Sequence, residues 1–498
     1  MYETVIGLEV HAQLKTKTKM FCNTKNNPDE DRPNVNICPT CLGHPGTLPT
    51  INKKAVEYVV KVGHALNCKI AGHTKFDRKN YFYPDIPKSY QISQYDLPIC
   101  EGGALEVLGS DVKITRIHLE EDTAKSIHGA SGHSFVDFNR ASAPLMELVT
   151  EPDIRSGEQA KAFCEGLQKI LQYLDVSGAN MEKGQMRCEV NISLRKKGSK
   201  EHGTKVEIKN LNSFRSVKDS AEFEIKRQSE LLDQGRGGEI IQETRGWDEN
   251  RRITFSQRLK ESADDYRYFP EPDLPVMELG IVDGVPTKDL VDVNALKASL
   301  PELPKQKLER FKDVFGILEK DANILINDKH TSFYFENVVS ELRGLLKEEG
   351  EKAYSDKVKS LIRLSVNYIN TDLKKILKDS NLEISNIKMS EEDFAELILM
   401  TFEKKITSAA AKKVLAEMIE TGADPDHIVE EKGLLQLNDK EEISKIAKEV
   451  IDKNSKAVED YKGGNLNILQ FLLGQVIGRT KGKANPAITK EVLEELLK

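Results

Sequence analysis

Ile6-Gly-Leu-Glu-Val-His-Ala-Gln-Leu14 reads with period two: Ile6, Leu8, Val10, Ala12 and Leu14 fall on one face, Glu9, His11 and Gln13 on the other. That is a strand with one apolar and one chemically armed face. Three further runs repeat the pattern. Ile114-Thr-Arg-Ile-His-Leu-Glu120 aligns Arg116, His118 and Glu120; Glu189-Val-Asn-Ile-Ser193 aligns Glu189, Asn191 and Ser193; Lys205-Val-Glu-Ile-Lys209 aligns Lys205, Glu207 and Lys209. An antiparallel sheet commonly turns one polar face to water. Faces this rich in Glu and His are harder to read that way, because Glu is a poor strand former. Several carboxylates converging with an imidazole suit a hard cation such as Mg²⁺.

Outward from these strands, residues 1–292 alternate short runs with Gly, Pro, Asn and Asp, and show two helical stretches, 53–66 and 158–174. From about Val293 the pattern becomes helical, with amphipathic stretches at 305–320, 332–348 and 356–369; from about Ile406 shorter helices are broken at Gly422, Gly433 and Gly463-Gly464. The expectation is an α+β chain: a β-rich antiparallel domain over 1–292, an all-helical linker module over 293–405 and an all-helical tail over 406–498.

The 498 residues suffice for several cores, and no apolar run reaches 18 residues. Residues 1–14 read directly as a strand, without the features of a signal or transit peptide, and the seven cysteines do not form a disulfide framework, which together predict a cytoplasmic protein. With a net charge of −7, any nucleic-acid contact must come from local basic patches. One candidate is 461–490, which holds Lys462, Arg479, Lys481, Lys483 and Lys490 and no acidic residue; from the residues alone a solvated helix end is the favoured reading.

Between the first two armed strands, Lys75-Phe-Asp-Arg-Lys-Asn-Tyr-Phe-Tyr-Pro-Asp-Ile-Pro-Lys-Ser-Tyr90 packs four cations and five aromatics, suited either to holding phosphate and stacking a base or to an ordinary surface loop. Asp264-Asp-Tyr-Arg-Tyr-Phe-Pro-Glu-Pro-Asp273 has the same character. There is no Walker sequence, no Gly-x-Gly-x-x-Gly fingerprint, no zinc-protease helix and no amidase-like Gly/Ser-rich nucleophile segment, so glutamine hydrolysis is not expected on this chain. Cys22 with Cys38-Pro-Thr-Cys41 has zinc-knuckle spacing, yet a structural site wants four ligands; His44 is a candidate fourth, and an unmetallated cluster is the alternative.

Tyr2-Glu-Thr-Val-Ile-Gly-Leu-Glu-Val-His11, residues 75–84, Tyr90-Gln-Ile-Ser-Gln-Tyr95, Asp137-Phe-Asn-Arg140, Glu151-Pro-Asp-Ile154, Asn191-Ile-Ser-Leu-Arg195, Lys209-Asn-Leu-Asn-Ser-Phe214 and residues 264–273 together resemble the B subunit of the aspartyl/glutamyl-tRNA amidotransferase family, with further matches at Gly474-Gln475 and Lys481-Gly-Lys-Ala-Asn-Pro486. The resemblance implies a cradle-shaped catalytic domain, a helical linker and a tail that contacts tRNA. It implies two partners: the amidase, or A subunit, which releases ammonia from glutamine, and a small C subunit that holds the other two together. The implied reaction uses ATP to phosphorylate the side-chain carboxylate of misacylated glutamyl- or aspartyl-tRNA before ammonia attacks.

By motif position the resemblance assigns Glu9, His11 and Glu120 to Mg²⁺ and catalysis, with Glu121, Glu147 and Glu151 as further candidates. Arg78, Lys79 and Lys209 would meet ATP phosphates, and Tyr81 would pack nearby. Cys22, Cys38 and Cys41 would be a zinc set, although Thr24 stands where zinc-bearing members have a cysteine. Two alternatives stand beside this: a non-catalytic tRNA-binding scaffold, and the glutamyl-specific paralogue with a different amidase partner.

Overall fold

The computed structural model describes residues 2–27, 29–129, 132–259, 266–279, 281–282, 285–286, 291–347, 355–480 and 482–497. It forms two compact units, Met1–Pro304 and Lys305–Lys498, and the class is α+β as the pattern predicts.

The first unit is built on a ten-stranded sheet. Its strands are β1 (Tyr2–Gln13), β2 (Lys69–Ile70), β3 (Cys100–Glu101), β4 (Ala104–Val107), β5 (Ser110–Glu121), β6 (Pro144–Thr150), β7 (Met186–Lys196), β8 (Val206–Leu211), β9 (Glu243–Asp248) and β10 (Ile253–Leu259). They lie in the order β10-β9-β8-β7-β1-β6-β5-β3-β2, with β4 beside β5. The pairings are antiparallel except β8 with β9. β1 is central, paired along most of its length with β7 and over its second half with β6, so both of its edges are covered.

One face of the sheet packs on helices α1 (Lys53–Ala65), α2 (Gly157–Tyr173) and α3 (Phe214–Asp233). Ile6, Leu8, Val10 and Ala12 of β1 are at most 1% exposed and meet Val59 of α1, Leu167 of α2 and Val217 of α3 in one core. Each such burial contributes about 1.5–3 kcal/mol for a large aliphatic side chain. Asn52, Ser156 and Ser213 cap the three helices through their side chains. α2 and α3 touch closely enough that a Cβ on Gly157 would stand 2.5 Å from the Lys218 carbonyl oxygen, so this position admits only glycine.

The helical pattern of the sequence signals α1 and α2 but not α3. The residues α3 buries are Ser216, Val217, Ser220, Ala221, Glu224 and Gln228. The apolar period of this helix, Phe214, Val217, Ala221 and Ile225, is diluted by the Ser, Glu and Gln side chains buried beside it.

The first unit also runs past the expected boundary at 292. A fourth helix, α4 (Val293–Ala298), packs on α1, and Val293, Leu296, Leu300 and Leu303 lie against the same core. In the second unit the described residues form two cores, one from Phe311 to Val429 and one from Ile443 to Leu497. The helices Ser408–Thr421 and Pro425–Glu431 belong to the former. Residues 406–429, expected in the tail, therefore pack with the preceding helices, and the change of core falls near Leu437. The expected helix at 305–320 is two, Pro304–Asp313 and Glu319–Ile326, separated at Gly316, whose φ of 67° ends a helix. No helix among the described residues is long and apolar enough to cross a membrane.

Candidate active site

The sheet's other face is polar, and its register decides which groups meet. Arg187 of β7 stands opposite His11 of β1; His11 stands opposite Glu147 of β6; Glu147 stands opposite His118 of β5. One row across four strands is thus Arg187, His11, Glu147, His118. Directly opposed residues have Cβ atoms about 4.5–5.5 Å apart, so this pairing alone forces contact. Glu9 lies opposite Glu189 in a neighbouring row, and Glu120 opposite Leu145 in another.

His11 sits at the centre. Its Nε2 lies 3.3 Å from Glu147 Oε2, 3.5 Å from Glu120 Oε1 and 3.9 Å from Glu9 Oε1. Burial would push the imidazole pKa down, but hydrogen bonds to Glu120 and Glu147 raise it well above its ordinary value. Glu120 and Glu147 are themselves buried, at 2% and 5% exposure. Burial opposes their charge; Lys79 and His11 outweigh it for Glu120, and His118, His11 and Lys79 for Glu147, so both carboxyls lie below the usual range. Glu9 goes the other way: burial, then Glu147 and Glu189, push its carboxyl up to about 7. Glu9 is thus the carboxyl of the cluster whose neighbours favour its neutral form.

These groups line a cavity of about 750 Å³. Lys79, Arg116, Arg187, Lys205 and Lys209 bring positive charge to its wall, and Tyr95, Tyr266 and Tyr268 bring rings. Lys79 is pulled well above the ordinary lysine range; burial opposes this, and Glu120 leads the groups that cause it. Lys209 Nζ is 3.0 Å from Glu189 Oε2. Arg187 Nη2 donates to Asp122 Oδ1 at 3.0 Å, and despite burial Arg187 and Arg140 hold the Asp122 carboxyl down at about 2.

The expected residues divide. Glu9, His11, Glu120, Glu147, Lys79 and Lys209 meet at this cavity. Glu121 does not: neighbours on a strand point to opposite faces, and its carboxylate accepts from Lys88 Nζ at 2.7 Å and from the Ile92 amide at 2.9 Å. Glu151 does not either, because the register shifts between Val149 and Thr150, breaking the alternation from Glu147, and its carboxylate accepts from Thr115 Oγ1 at 2.7 Å. Arg78 is outside the lining as well. It forms a bidentate pair with Glu271, both bonds 2.8 Å, and lies 4.3 Å over the Tyr90 ring. Tyr81 packs between Tyr83 and Tyr266 beyond the lining residues.

The motif 75–90 is therefore less a loop than the start of a three-stranded sheet, Asp77–Asn80 between Tyr90–Ser93 and Phe269–Pro270. Of the second aromatic segment, residues 264 and 265 lie outside the described residues. Asp122 and Arg187 escape the sequence reading, yet each sits two positions from a recognised residue, Glu120 and Glu189, and extending the alternation finds both.

The cysteine expectation meets a shortfall of donors. Cys22, Cys38 and Cys41 gather with their sulfurs within 4.8 Å of one another, but His44 is not in that group. Lys19 Nζ lies 3.7 Å from Cys41 Sγ instead, and the Cys22 thiol together with Lys19 lowers the Cys41 pKa to about 5. Three sulfurs and an ammonium do not make the four-ligand set of a structural zinc site. In the basic tail, Arg479 pairs with Glu449 at 2.6 Å and Lys490 with Glu494 at 3.8 Å, while Lys462 and Lys483 are exposed; Lys481 lies outside the described residues.

Two family models match the chain: the GatB/GatE catalytic domain over residues 4–281 and the GatB domain over residues 351–497. Among curated proteins, the B subunit of an aspartyl/glutamyl-tRNA(Asn/Gln) amidotransferase from Persephonella marina is 47% identical over the full length of both chains. Proteins of the same name from Caldicellulosiruptor bescii and Thermodesulfovibrio yellowstonii are 46% and 47% identical, over all of this chain and 99% of theirs.

Proposed function

Because the chain belongs to the family of aspartyl/glutamyl-tRNA(Asn/Gln) amidotransferase B subunits, we propose that it phosphorylates the side-chain carboxylate of misacylated glutamyl- or aspartyl-tRNA with ATP and then delivers the acyl group to ammonia. The observation that carries this reading is the gathering of Glu9, Glu120 and Glu147 around His11 on the floor of the 750 Å³ cavity. Ammonia would come from the amidase partner, with the small third subunit holding the two together.

The donor sets fit a hard divalent cation, since two triads share one imidazole, His11 with Glu120 and Glu147 and His11 with Glu9 and Glu189, and Glu9 is pushed up to about 7. Glu9, His11, Glu120 and Glu147 would hold Mg²⁺, which when bound neutralises charge on the transferring phosphoryl oxygens. The chain's own cations do the complementary work. Lys79 and Lys209, on the cavity wall, attract and orient the phosphates. A substrate carboxylate oxygen attacks the γ-phosphorus, the bond to ADP breaks and an acyl phosphate forms. Ammonia nitrogen then attacks the acyl carbon, the carbon–oxygen bond breaks, phosphate leaves and the surplus proton passes to a cavity carboxylate. The observed geometry speaks against a non-catalytic scaffold, because buried like charges facing a cavity destabilise a fold that makes no use of them.

In the complex reconstituted with the amidase and the small partner, Glu120→Gln is expected to lower ATP-dependent amidation by at least about a hundredfold, the scale of one lost electrostatic group in a preorganised site. Basal glutaminase activity persists, and ammonium chloride in place of glutamine gives no rescue, because the missing step precedes ammonia attack. Full amidation by Glu120→Gln with ammonium would overturn the assignment of this cluster to carboxylate activation.

A further inference from the structure

Tyrosines form a continuous chain at the cavity mouth that the reaction above does not use. Tyr95 and Tyr268 stack in parallel, with centroids 4.3 Å apart and planes 10° from parallel. Tyr268 meets Tyr266 edge-on at 6.0 Å, Tyr266 meets Tyr81 at 6.0 Å, and Tyr81 stacks on Tyr83 at 6.1 Å. Tyr95, Tyr266 and Tyr268 line the cavity, whereas Tyr83 is 51% exposed and the adjacent Phe82 71% exposed. The chain of rings thus runs from the cavity out to solvent.

Cations accompany it, one at its middle ring and one beside its outer end. Lys79 Nζ lies 5.1 Å from the Tyr266 ring centre, and the Arg267 guanidinium lies 5.9 Å from the Phe82 ring. Arg267 itself adopts a left-handed backbone with φ of 46°, costly for a non-glycine residue, between the two cavity tyrosines. The Asn80 side chain clamps this strained turn by donating to the carbonyls of Tyr266 and Arg267, at 3.2 and 2.8 Å.

Aromatic rings in sequence, interleaved with cations, match the way proteins hold unpaired nucleic acid, one base per ring face with charge along the backbone. A free nucleotide has one base and needs one ring. A polymer end entering from solvent uses several. We propose that this tyrosine chain stacks the unpaired 3′-terminal bases of an RNA and seats the last nucleotide beside the His11 cluster, with Tyr95 and Tyr268 as the innermost platform. This rests on the reading that the acyl group to be activated is carried on an RNA, and it adds the subsite that positions that RNA's end.

The test uses the full chain and a tRNA whose 3′-terminal adenosine is replaced by 2-aminopurine, the fluorescence of which falls on stacking. Binding is expected to quench the probe, Tyr95→Ala and Tyr268→Ala to abolish the quench, and Tyr95→Phe to retain it. Half-exposed Tyr95 makes its alanine variant safe for folding. In the reconstituted complex the KM for aminoacyl-tRNA rises by roughly five- to a hundredfold in Tyr95→Ala, the scale of one lost base–aromatic stack, while the KM for ATP is unchanged. A quench unaltered by both alanine variants, or a rise confined to the KM for ATP, overturns the proposal. Glu120→Gln, inactive in amidation, is expected to quench as the wild type does. Quenching by a wild-type complex that shows no ATP-dependent amidation would sink the proposed reaction and leave the stacking site standing.

Discussion

The sheet of the first unit carries buried carboxylates on both faces, and they are treated in opposite ways. On the helix-covered face, Glu224 of α3 is fully buried and saturated: Arg227 reaches it with bonds of 2.9 and 3.1 Å, Gln228 with one of 3.1 Å, Thr254 with one of 2.5 Å, and Arg245 lies 3.2 Å away. On the cavity face, Glu9, Glu120 and Glu147 crowd round His11, His118 reaches Glu147 alone at 3.5 Å, and Glu9 is pushed up to about 7. Burial of an acid is therefore not a mark of function by itself. What separates the two clusters is whether the chain supplies enough donors and whether space lies in front of the oxygens.

Breaking the saturated cluster should have the largest effect. Glu224→Ala leaves Arg227 without its acid and Arg245 with Glu243 alone, and breaking a buried pair by removing one partner typically costs about 3–5 kcal/mol. A marked drop in the thermal midpoint of the first unit is expected, with activity per folded molecule retained. Near-wild-type stability would mean the network is dispensable and the contrast false.

The open cluster should respond with the reverse sign at one position. Because the folded carboxyl of Glu9 lies at about 7, above its ordinary value near 4.5, its protonated form is favoured by folding. The stability it contributes is complete below about pH 4.5 and is lost as pH rises through 7. Without divalent cation, Glu9→Gln is expected to exceed wild type in stability at pH 8, on the order of 1–3 kcal/mol, and to match it near pH 4. Added Mg²⁺ should erase the advantage. Parallel stability curves for the two proteins from pH 4 to 8 would refute the crowding.

A smaller effect is expected from the tail. Deleting residues after Leu437, where the third core begins, should leave the first two cores folded and weaken tRNA binding. Every cation–phosphate pairing that the deletion removes should reduce the slope of log affinity against log salt by about 0.7 to 0.9. An unchanged slope rejects the tail as an RNA-binding surface.

The smallest belongs to a surface pair used as a control. Lys15 and Asp175 are 2.6 Å apart but half exposed or more, so Lys15→Ala should change stability by less than about 1 kcal/mol. A larger loss would show that exposure does not discriminate among these ion pairs.

Much of the site is legible in the strands taken one at a time. Period-two reading locates the armed faces of β1, β5, β7 and β8, because alternation is a property of each strand alone. It does not reveal α3, whose buried side mixes Ser, Glu and Gln with its apolar residues, nor the shift after Val149 that removes Glu151 from the cavity. Arg78 misleads for another reason. As a cation in an aromatic-rich segment it invites a phosphate, but its carboxylate partner, Glu271, lies 193 residues further on.

Pattern and motif in the chain were enough for the strand faces, the helical second half and the family. Which charged side chains are spent on one another, and which are left facing space, emerges only on folding. A carboxylate's role depends on the donors around it, and these come from residues distant in the chain. Glu120 and Glu121 are adjacent in sequence, yet one faces His11 across the cavity floor and the other is bound by Lys88 and the amide of Ile92.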